Sequence, residues 1–277
     1  MNAPLRPAPT QLAALEGVLR SIGKLAVAVS GGVDSLTLAS AAHRVLDGEA
    51  SMFHAVSPAV PAEATERTRQ LAERQGWRLT VLDAGEFGDR DYMRNPLNRC
   101  FYCKTNLYGA IRPHATAQVV SGTNLDDLGD YRPGLIAAKE HGVRHPFVEA
   151  RIDKQGVRAI ARTIGLGELA ELPASPCLSS RIETGIAIDP VMLECVHETE
   201  RLVEHELKPN TVRCRVRAGG VVIELDEASL LALPDERRAA LTERVQAVFE
   251  QREFAYSVSF ERYRVGSAFL HFKRPAT

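Results

Sequence analysis

Short apolar runs alternate with longer amphipathic ones over the first two thirds of the chain. The runs at 25–30, 51–57, 78–82 and 117–122 have the length of strands, and the segments 35–46, 63–75 and 104–112 carry apolar residues at helical spacing. Strands alternating with helices of this size predict βαβ units, and so a parallel sheet with helices on both faces. A further amphipathic helix is predicted over 154–164, with Gly165 and Gly167 as stop signals. The stretch LPASPCLSSRIETG at 172–185 is rich in Pro, Ser and Gly and reads as a loop. Beyond it the texture changes. A helix is predicted over 190–207, strands over 211–217 and 221–225 with a hairpin turn at Gly219–Gly220, a helix over 235–249 and a strand over 254–260. The chain is therefore expected to hold an α/β domain at 1–183 and a small α+β domain at 184–277.

A length of 277 residues, 45% of them hydrophobic, supplies enough core for one large and one small domain without staples. A net charge of −1 leaves no electrostatic footprint for nucleic acid or an anionic membrane. No apolar run approaches the roughly 20 residues that span a bilayer. The opening MNAPLRPAPT lacks the apolar stretch of a secretory signal and reads as a short disordered leader. A cytoplasmic protein with reduced thiols is expected. Its five cysteines, Cys100, Cys103, Cys177, Cys195 and Cys214, then point to metal or redox chemistry rather than to a disulfide framework.

The strongest motif is Ser30-Gly31-Gly32-Val33-Asp34-Ser35, placed directly after an apolar strand and before a helix. Gly31 and Gly32 let the backbone turn sharply and bring its N–H groups against phosphate oxygens. Ser30 and Ser35 add hydroxyls, and the helix points its positive end at the ligand. Asp34 would repel bare phosphate, so its place is beside Mg²⁺ or water. An ordinary strand-to-helix turn would need only Gly-Gly, and a Walker loop would end in Gly-Lys-Ser/Thr, which is missing.

Arg99-Cys100-Phe101-Tyr102-Cys103-Lys104 contains a CxxC placed before a helix, with Cys177 far downstream in the Ser/Pro loop. Two intervening residues put two thiols within reach of one metal or cluster. Arg99 and Lys104 would favour their thiolates by charge. Zinc would need a fourth ligand, and no His spacing supplies one. Three cysteines suggest a [4Fe–4S] cluster with one iron left open; the plainer alternative is two semi-buried cysteines with no metal. Cys195 in a predicted helix and Cys214 in a predicted strand read as packed small hydrophobes.

The SGGVDS segment resembles the pyrophosphate-loop ATP pyrophosphatase superfamily, which implies an adenine nucleotide alpha-hydrolase-like sheet, ATP as cofactor, an adenylated intermediate and release of pyrophosphate. Together with RCFYCK at 99–104, DYRPGL at 130–135 and PCLSSRI at 176–182, it resembles one family in that superfamily, the sulfur transferases that make pyridinium-3,5-bisthiocarboxylic acid mononucleotide for the nickel-pincer cofactor. The resemblance runs along nearly the whole chain. It implies a pyridinium mononucleotide substrate whose carboxylate becomes a thiocarboxylate. Lys104 and Arg132 are then phosphate ligands, and Ser180, Arg181, Glu200, Arg213 and Arg215 line the substrate pocket, arginine pairing well with carboxylate and phosphate.

The family has two sulfur strategies. In one, a single loop cysteine gives up its own sulfur. In the other, three cysteines hold a [4Fe–4S] cluster whose open iron carries a sulfide. Cys100, Cys103 and Cys177 favour the second, with Cys177 central, sulfide supplied from elsewhere, and a homo-oligomer expected. A tRNA-thiolating ATP pyrophosphatase is the alternative enzyme, against which the neutral charge stands. An ATP-binding regulatory module would not need CxxC and PCLSSR together.

Overall fold

A computed structural model describes residues 8–129, 132–264 and 266–267. The chain divides into two compact units: one runs up to Glu86 and resumes over Cys100–Ser175, the other takes Phe87–Arg99 and the chain from Pro176. The division falls ahead of Cys177 rather than at 183/184, and the excursion at 87–99 counts with the later unit.

The first unit opens with α1 (Ala8–Ile22). The end of the stretch read as a leader, Ala8 to Thr10, thus starts a helix, since proline in a first turn has no intrahelical N–H bond to lose; residues 1–7 lie outside the described residues. There follow β1 (Leu25–Ala28), α2 (Val33–Leu46), β2 (Ala50–Ala55), α3 (Ala62–Gln75) and β3 (Arg78–Leu82). The excursion carries the short α4 (Arg90–Met93). After it come α5 (Arg99–Ile111), β4 (Gln118–Ser121), α6 (Pro133–Glu140), α7 (Pro146–Glu149) and α8 (Lys154–Thr163).

All four strands are parallel, in the order β3-β2-β1-β4. Both faces of β1 are buried. Leu25 and Val27 share one core with Leu36 and Ala39 of α2 and Val157 and Ile160 of α8. Ala26 and Ala28 share the other with Tyr108 and Ile111 of α5 and Ala138 of α6. Burial on both sides is why these strands read as unbroken apolar runs. This is the predicted α/β architecture, an adenine nucleotide alpha-hydrolase-like sheet. Strand order steps outward from β1 through β2 to β3, and β4 then pairs on the other side of β1. Such a switch point opens a crevice beyond the carboxyl ends of the strands, where ligands of open α/β sheets bind.

The second unit holds α9 (Pro190–Leu207), β5 (Val212–Arg217), β6 (Gly220–Leu225), α10 (Glu227–Leu231), α11 (Asp235–Glu250) and β7 (Val258–Arg262). Asp189 caps α9 through the Val191 and Met192 amides, with Pro190 at its first position. Two predicted details shift. The hairpin turn is Ala218–Gly219, and Gly220 instead begins β6 with φ of 132°, where a Cβ would lie 2.6 Å from the Ser257 carbonyl oxygen. The last strand starts at Val258 rather than 254, because Phe254 and Tyr256 stack on each other and Tyr256 meets the Phe249 ring edge-on. It pairs parallel to β6, while β5 and β6 are antiparallel, so this sheet is mixed. Among the described residues, no helix is long and apolar enough to cross a membrane.

Candidate active site

The turn between β1 and α2 lies at the switch point, and its two glycines do different work. Gly31 has φ of 80°, and a Cβ there would sit 2.6 Å from the Ala64 carbonyl oxygen, so only glycine fits. Gly32 has an ordinary extended backbone and caps α2 without a side-chain hydrogen bond. A Cβ on Gly32 would meet nothing closer than the Ser30 hydroxyl at 3.7 Å. Gly31 therefore makes the turn, and Gly32 leaves the positive end of α2 approachable by an anion.

Ser30 and Ser35 brace the turn. The Ser30 amide donates to Ser35 Oγ (3.0 Å), Ser35 Oγ donates to the Gly32 carbonyl (3.1 Å), and the two hydroxyls are 3.1 Å apart. Arg67 Nε donates to the Gly31 carbonyl at 2.9 Å. Behind it, buried His54 donates from Nδ1 to the Val29 carbonyl (2.8 Å), leaving Nε2 to accept from the Thr65 hydroxyl (2.9 Å). Burial holds the His54 pKa below its ordinary value, which keeps the neutral ring that this donor–acceptor pair requires.

Asp34 faces two partners: Lys154 Nζ lies 2.5 Å from its Oδ2, and Asn124 Nδ2 donates to Oδ1 at 3.4 Å. Sequence reasoning missed Lys154. The one available signal is its position just after the Asp153 N-cap, where a cation meets the positive end of α8 and needs an acidic partner. One carboxylate plus ligand phosphates is a usual donor set for Mg²⁺, so Asp34 fits that role. Gly122, just after β4, is equally constrained, because a Cβ would lie 2.8 Å from the Ser35 nitrogen and 2.9 Å from the Asp34 carbonyl carbon. Gly122→Ala should push the first turn of α2 out of place and slow the ATP cleavage that the SGGVDS resemblance implies by about tenfold or more, about 1.4 kcal/mol in barrier. Pyrophosphate release at the wild-type rate would show that the placement of this turn is immaterial.

The CxxC lies inside the helix rather than ahead of it, because α5 starts at Arg99 and not at 104: Cys100 and Cys103 are one turn apart on it, Cys100 exposed and Cys103 half-buried, neither in a disulfide. A Cβ on Gly134 would sit 3.2 Å from Lys104 Cγ and 3.6 Å from the Cys100 carbonyl oxygen, so the RCFYCK and DYRPGL motifs meet here. Asp130 and Tyr131 of the latter lie outside the described residues. Arg132 pairs with Asp127 at 2.7 Å on the surface, and Lys104 Nζ lies 6.0 Å from the centre of the Tyr108 ring. Arg99 reaches the Ser179 carbonyl and Asn95 Oδ1.

In the second unit, a 3₁₀ turn at Leu178–Arg181 is wound on the carbonyl of Cys177. That oxygen accepts from the Ser180 amide (3.0 Å), the Ser180 hydroxyl (2.7 Å) and the Arg181 guanidinium (3.1 Å). Arg181 is buried and bidentate with Glu200, Nε and Nη2 each 2.9 Å from a carboxylate oxygen. Burial lowers its pKa, but Glu200 outweighs that and holds it above the ordinary value. Glu200 also accepts from the Cys214 amide at 2.9 Å. Arg215 bonds Glu224 at 2.9 Å and the Ser180 carbonyl at 3.0 Å. Arg213 lies 5.9 Å from the centre of the Tyr263 ring, its pKa lowered by burial and next by Arg181, a setting in which a bound anion is favourable. Cys195 and Cys214 are wholly buried, and burial raises both thiol pKa values, that of Cys214 well above the ordinary one.

Among the described residues no three His, Cys, Asp or Glu side chains gather as a metal-holding group. Thiolate is the donor type that iron–sulfur clusters take, and two of the thiols, Cys100 and Cys103, lie a helical turn apart on α5.

A parallel sheet whose first strand runs into SGGVDS at the switch point defines a pyrophosphate-loop ATP pyrophosphatase. In line with this, the chain is 27% identical to a component of the glutamine-hydrolysing GMP synthase of Methanopyrus kandleri, over 70% of this chain and 68% of that one. No protein-family model matches the chain. An uncharacterized protein of Synechocystis sp. is 36% identical over 91% of this chain and 95% of its own length. The pyridinium-3,5-bisthiocarboxylic acid mononucleotide synthase of Lactiplantibacillus plantarum is 30% identical over 226 residues, 80% of this chain and 81% of the synthase. The chain belongs to the family of that synthase.

Proposed function

We propose that this protein is an ATP-dependent sulfur transferase acting on a pyridinium mononucleotide that bears carboxylates. In the first step a substrate carboxylate oxygen attacks the α-phosphorus of ATP, and the bond to the bridging oxygen breaks. Pyrophosphate leaves with its charge facing the Gly31–Gly32 turn and the start of α2, with Ser30 and Ser35 holding that turn in shape. Asp34 would hold Mg²⁺, which when bound would offset phosphate charge, and Lys154, paired here with Asp34, would be a further cation for the phosphates. Lys104 and Arg132 are further phosphate ligands in this reading. In the second step sulfur attacks the activated acyl carbon, the bond to AMP breaks, and a thiocarboxylate results.

Ser180, Arg181, Glu200, Arg213 and Arg215 form the substrate-binding group. Within it, Arg181 and Glu200 hold the turn, and Arg213, a desolvated cation beside another, is suited to a phosphate or carboxylate. Cys100, Cys103 and Cys177 would hold a [4Fe–4S] cluster, which when bound supplies a sulfide on its open iron. The observation that carries the reading is the uncapped start of α2 behind the Gly31 turn, on a chain related to the synthase over most of its length. The test is pyrophosphate release with ATP, Mg²⁺ and either the pyridinium mononucleotide or unmodified tRNA. Stimulation by the mononucleotide alone is expected; stimulation by tRNA alone would replace this substrate with RNA.

A further inference from the structure

Residues 87–98 take no part in the chemistry described above, yet together with Arg99 they are bound closely to the segment that carries Cys177. The Tyr92 hydroxyl is 2.7 Å from Ser179 Oγ, and Arg99 Nη1 donates to the Ser179 carbonyl at 3.0 Å. The Asn95 amide group donates to the carbonyls of Ile182 (3.3 Å), Glu183 (2.9 Å) and Ile186 (3.0 Å), and Asn95 Oδ1 accepts from Arg99. Two backbone bonds complete the tie, Gly185 N to the Asn95 carbonyl at 2.9 Å and Ile188 N to the Met93 carbonyl at 2.8 Å. Tyr92, Asn95 and Arg99 are 1%, 0% and 3% exposed, so the bonds to Ser179 and Ile182 are buried, while those to Glu183 and Ile186 are partly so.

The recipient segment has one short 3₁₀ turn and one β-bridge, Ile182 to Val216, and is otherwise without helix or strand up to α9. Its carbonyls at 179 and 183 already accept from the Ile182 (3.2 Å) and Ile186 (3.0 Å) amides, so Arg99 and Asn95 add a second donor there, and Asn95 also serves the carbonyls of 182 and 186. Asn95 sits at φ of 52°, a left-handed conformation that asparagine tolerates better than most residues. That conformation accompanies an arrangement in which one side chain serves three carbonyls of the same loop.

We propose that Tyr92, Asn95 and Arg99 are positioning residues that lock the loop 177–188 and so present the Cys177 thiol from one fixed backbone. The effect on sulfur transfer rests on the proposed role of Cys177; the effect on the thiol itself does not. The experiment uses full-length protein with Asn95→Ala, Arg99→Met, Arg99→Lys and Tyr92→Phe. Iodoacetamide labelling of Cys177, resolved by mass spectrometry, and amide hydrogen exchange over 178–188 are read for each. Asn95→Ala and Arg99→Met are expected to speed loop exchange about tenfold or more and to change the Cys177 labelling rate by a similar factor, with Arg99→Lys intermediate. Sulfur transfer should fall in the same order, while ATP cleavage stays within about twofold of wild type.

Wild-type labelling and exchange in Asn95→Ala and Arg99→Met would overturn the proposal. Should those two fail to fold, Tyr92→Phe and Arg99→Lys decide it, unchanged Cys177 labelling in both being the negative result. A wild-type enzyme that cleaves no ATP would overturn the proposed function and leave the labelling and exchange arms to decide this inference.

Discussion

Cys177→Ala should abolish sulfur transfer, a fall of roughly 1,000-fold or more, while the first ATP is still cleaved to AMP and pyrophosphate. The separation is expected from the geometry. The turn after Cys177 is wound on its carbonyl, which alanine retains, so the three bonds from Ser180 and Arg181 survive and only the thiol is lost. On the cluster reading, Cys100→Ala and Cys103→Ala should lose transfer and bound iron together, while Cys195→Ala and Cys214→Ala keep both apart from a packing cost. Cys177 should then be unchanged in mass after several turnovers with added sulfide. If the cysteine instead gives up its own sulfur, its Cβ–S bond breaks. Cys177 would then lose the elements of H₂S after one turnover, and Cys100→Ala would be fully active. Intact-protein mass spectrometry before and after turnover separates the two.

The second large effect is on stability. Glu200→Leu should destabilise the second unit by about 3–5 kcal/mol, because it strands a buried guanidinium. The Arg181–Glu200 pair is bidentate, with side chains 3% and 11% exposed, and Glu200 also satisfies the Cys214 amide. Adding Arg181→Met should recover part of the loss, since apolar groups of similar volume replace buried pairs at little cost. Full recovery is not expected, because Arg181 also serves the Pro176 and Cys177 carbonyls. The sole tryptophan, Trp77, lies in the first unit, so hydrogen exchange over 176–225 is the appropriate readout. Single and double variants as stable as wild type would show that the pair does not hold the turn.

Most of the first unit was legible because its physics is local. Buried parallel strands must be continuous apolar runs, and a glycine pair between strand and helix marks a tight turn, which the flanking Ser30, Asp34 and Ser35 make a candidate anion site. Local pattern could not assign the work within that pair: Gly31 is obligatory because the Ala64 carbonyl approaches it, and residue 64 belongs to another helix. Lys154 was invisible for the same reason, since it meets Asp34 across 120 residues. Arg181 and Glu200 were picked out as substrate ligands by resemblance, and their mutual bidentate bond, across 19 residues, is a tertiary fact. Residues 87–98 carry no motif, and their hydrogen bonds to the Cys177 loop, more than eighty residues away, leave no periodic trace. The last strand was placed too early because an alternating pattern cannot distinguish a pleat from the aromatic packing of Phe254 and Tyr256.

The central claim is that ATP cleavage drives sulfur into a carboxylate of a pyridinium mononucleotide. The most direct measurement incubates anaerobically prepared protein with ATP, Mg²⁺, the mononucleotide and isotopically heavy sulfide, and then weighs the small-molecule product. The account predicts a thiocarboxylate carrying the heavy label, formed in excess over enzyme and matched by AMP and pyrophosphate. AMP and pyrophosphate accumulating while the mononucleotide gains no sulfur, heavy or light, would contradict it.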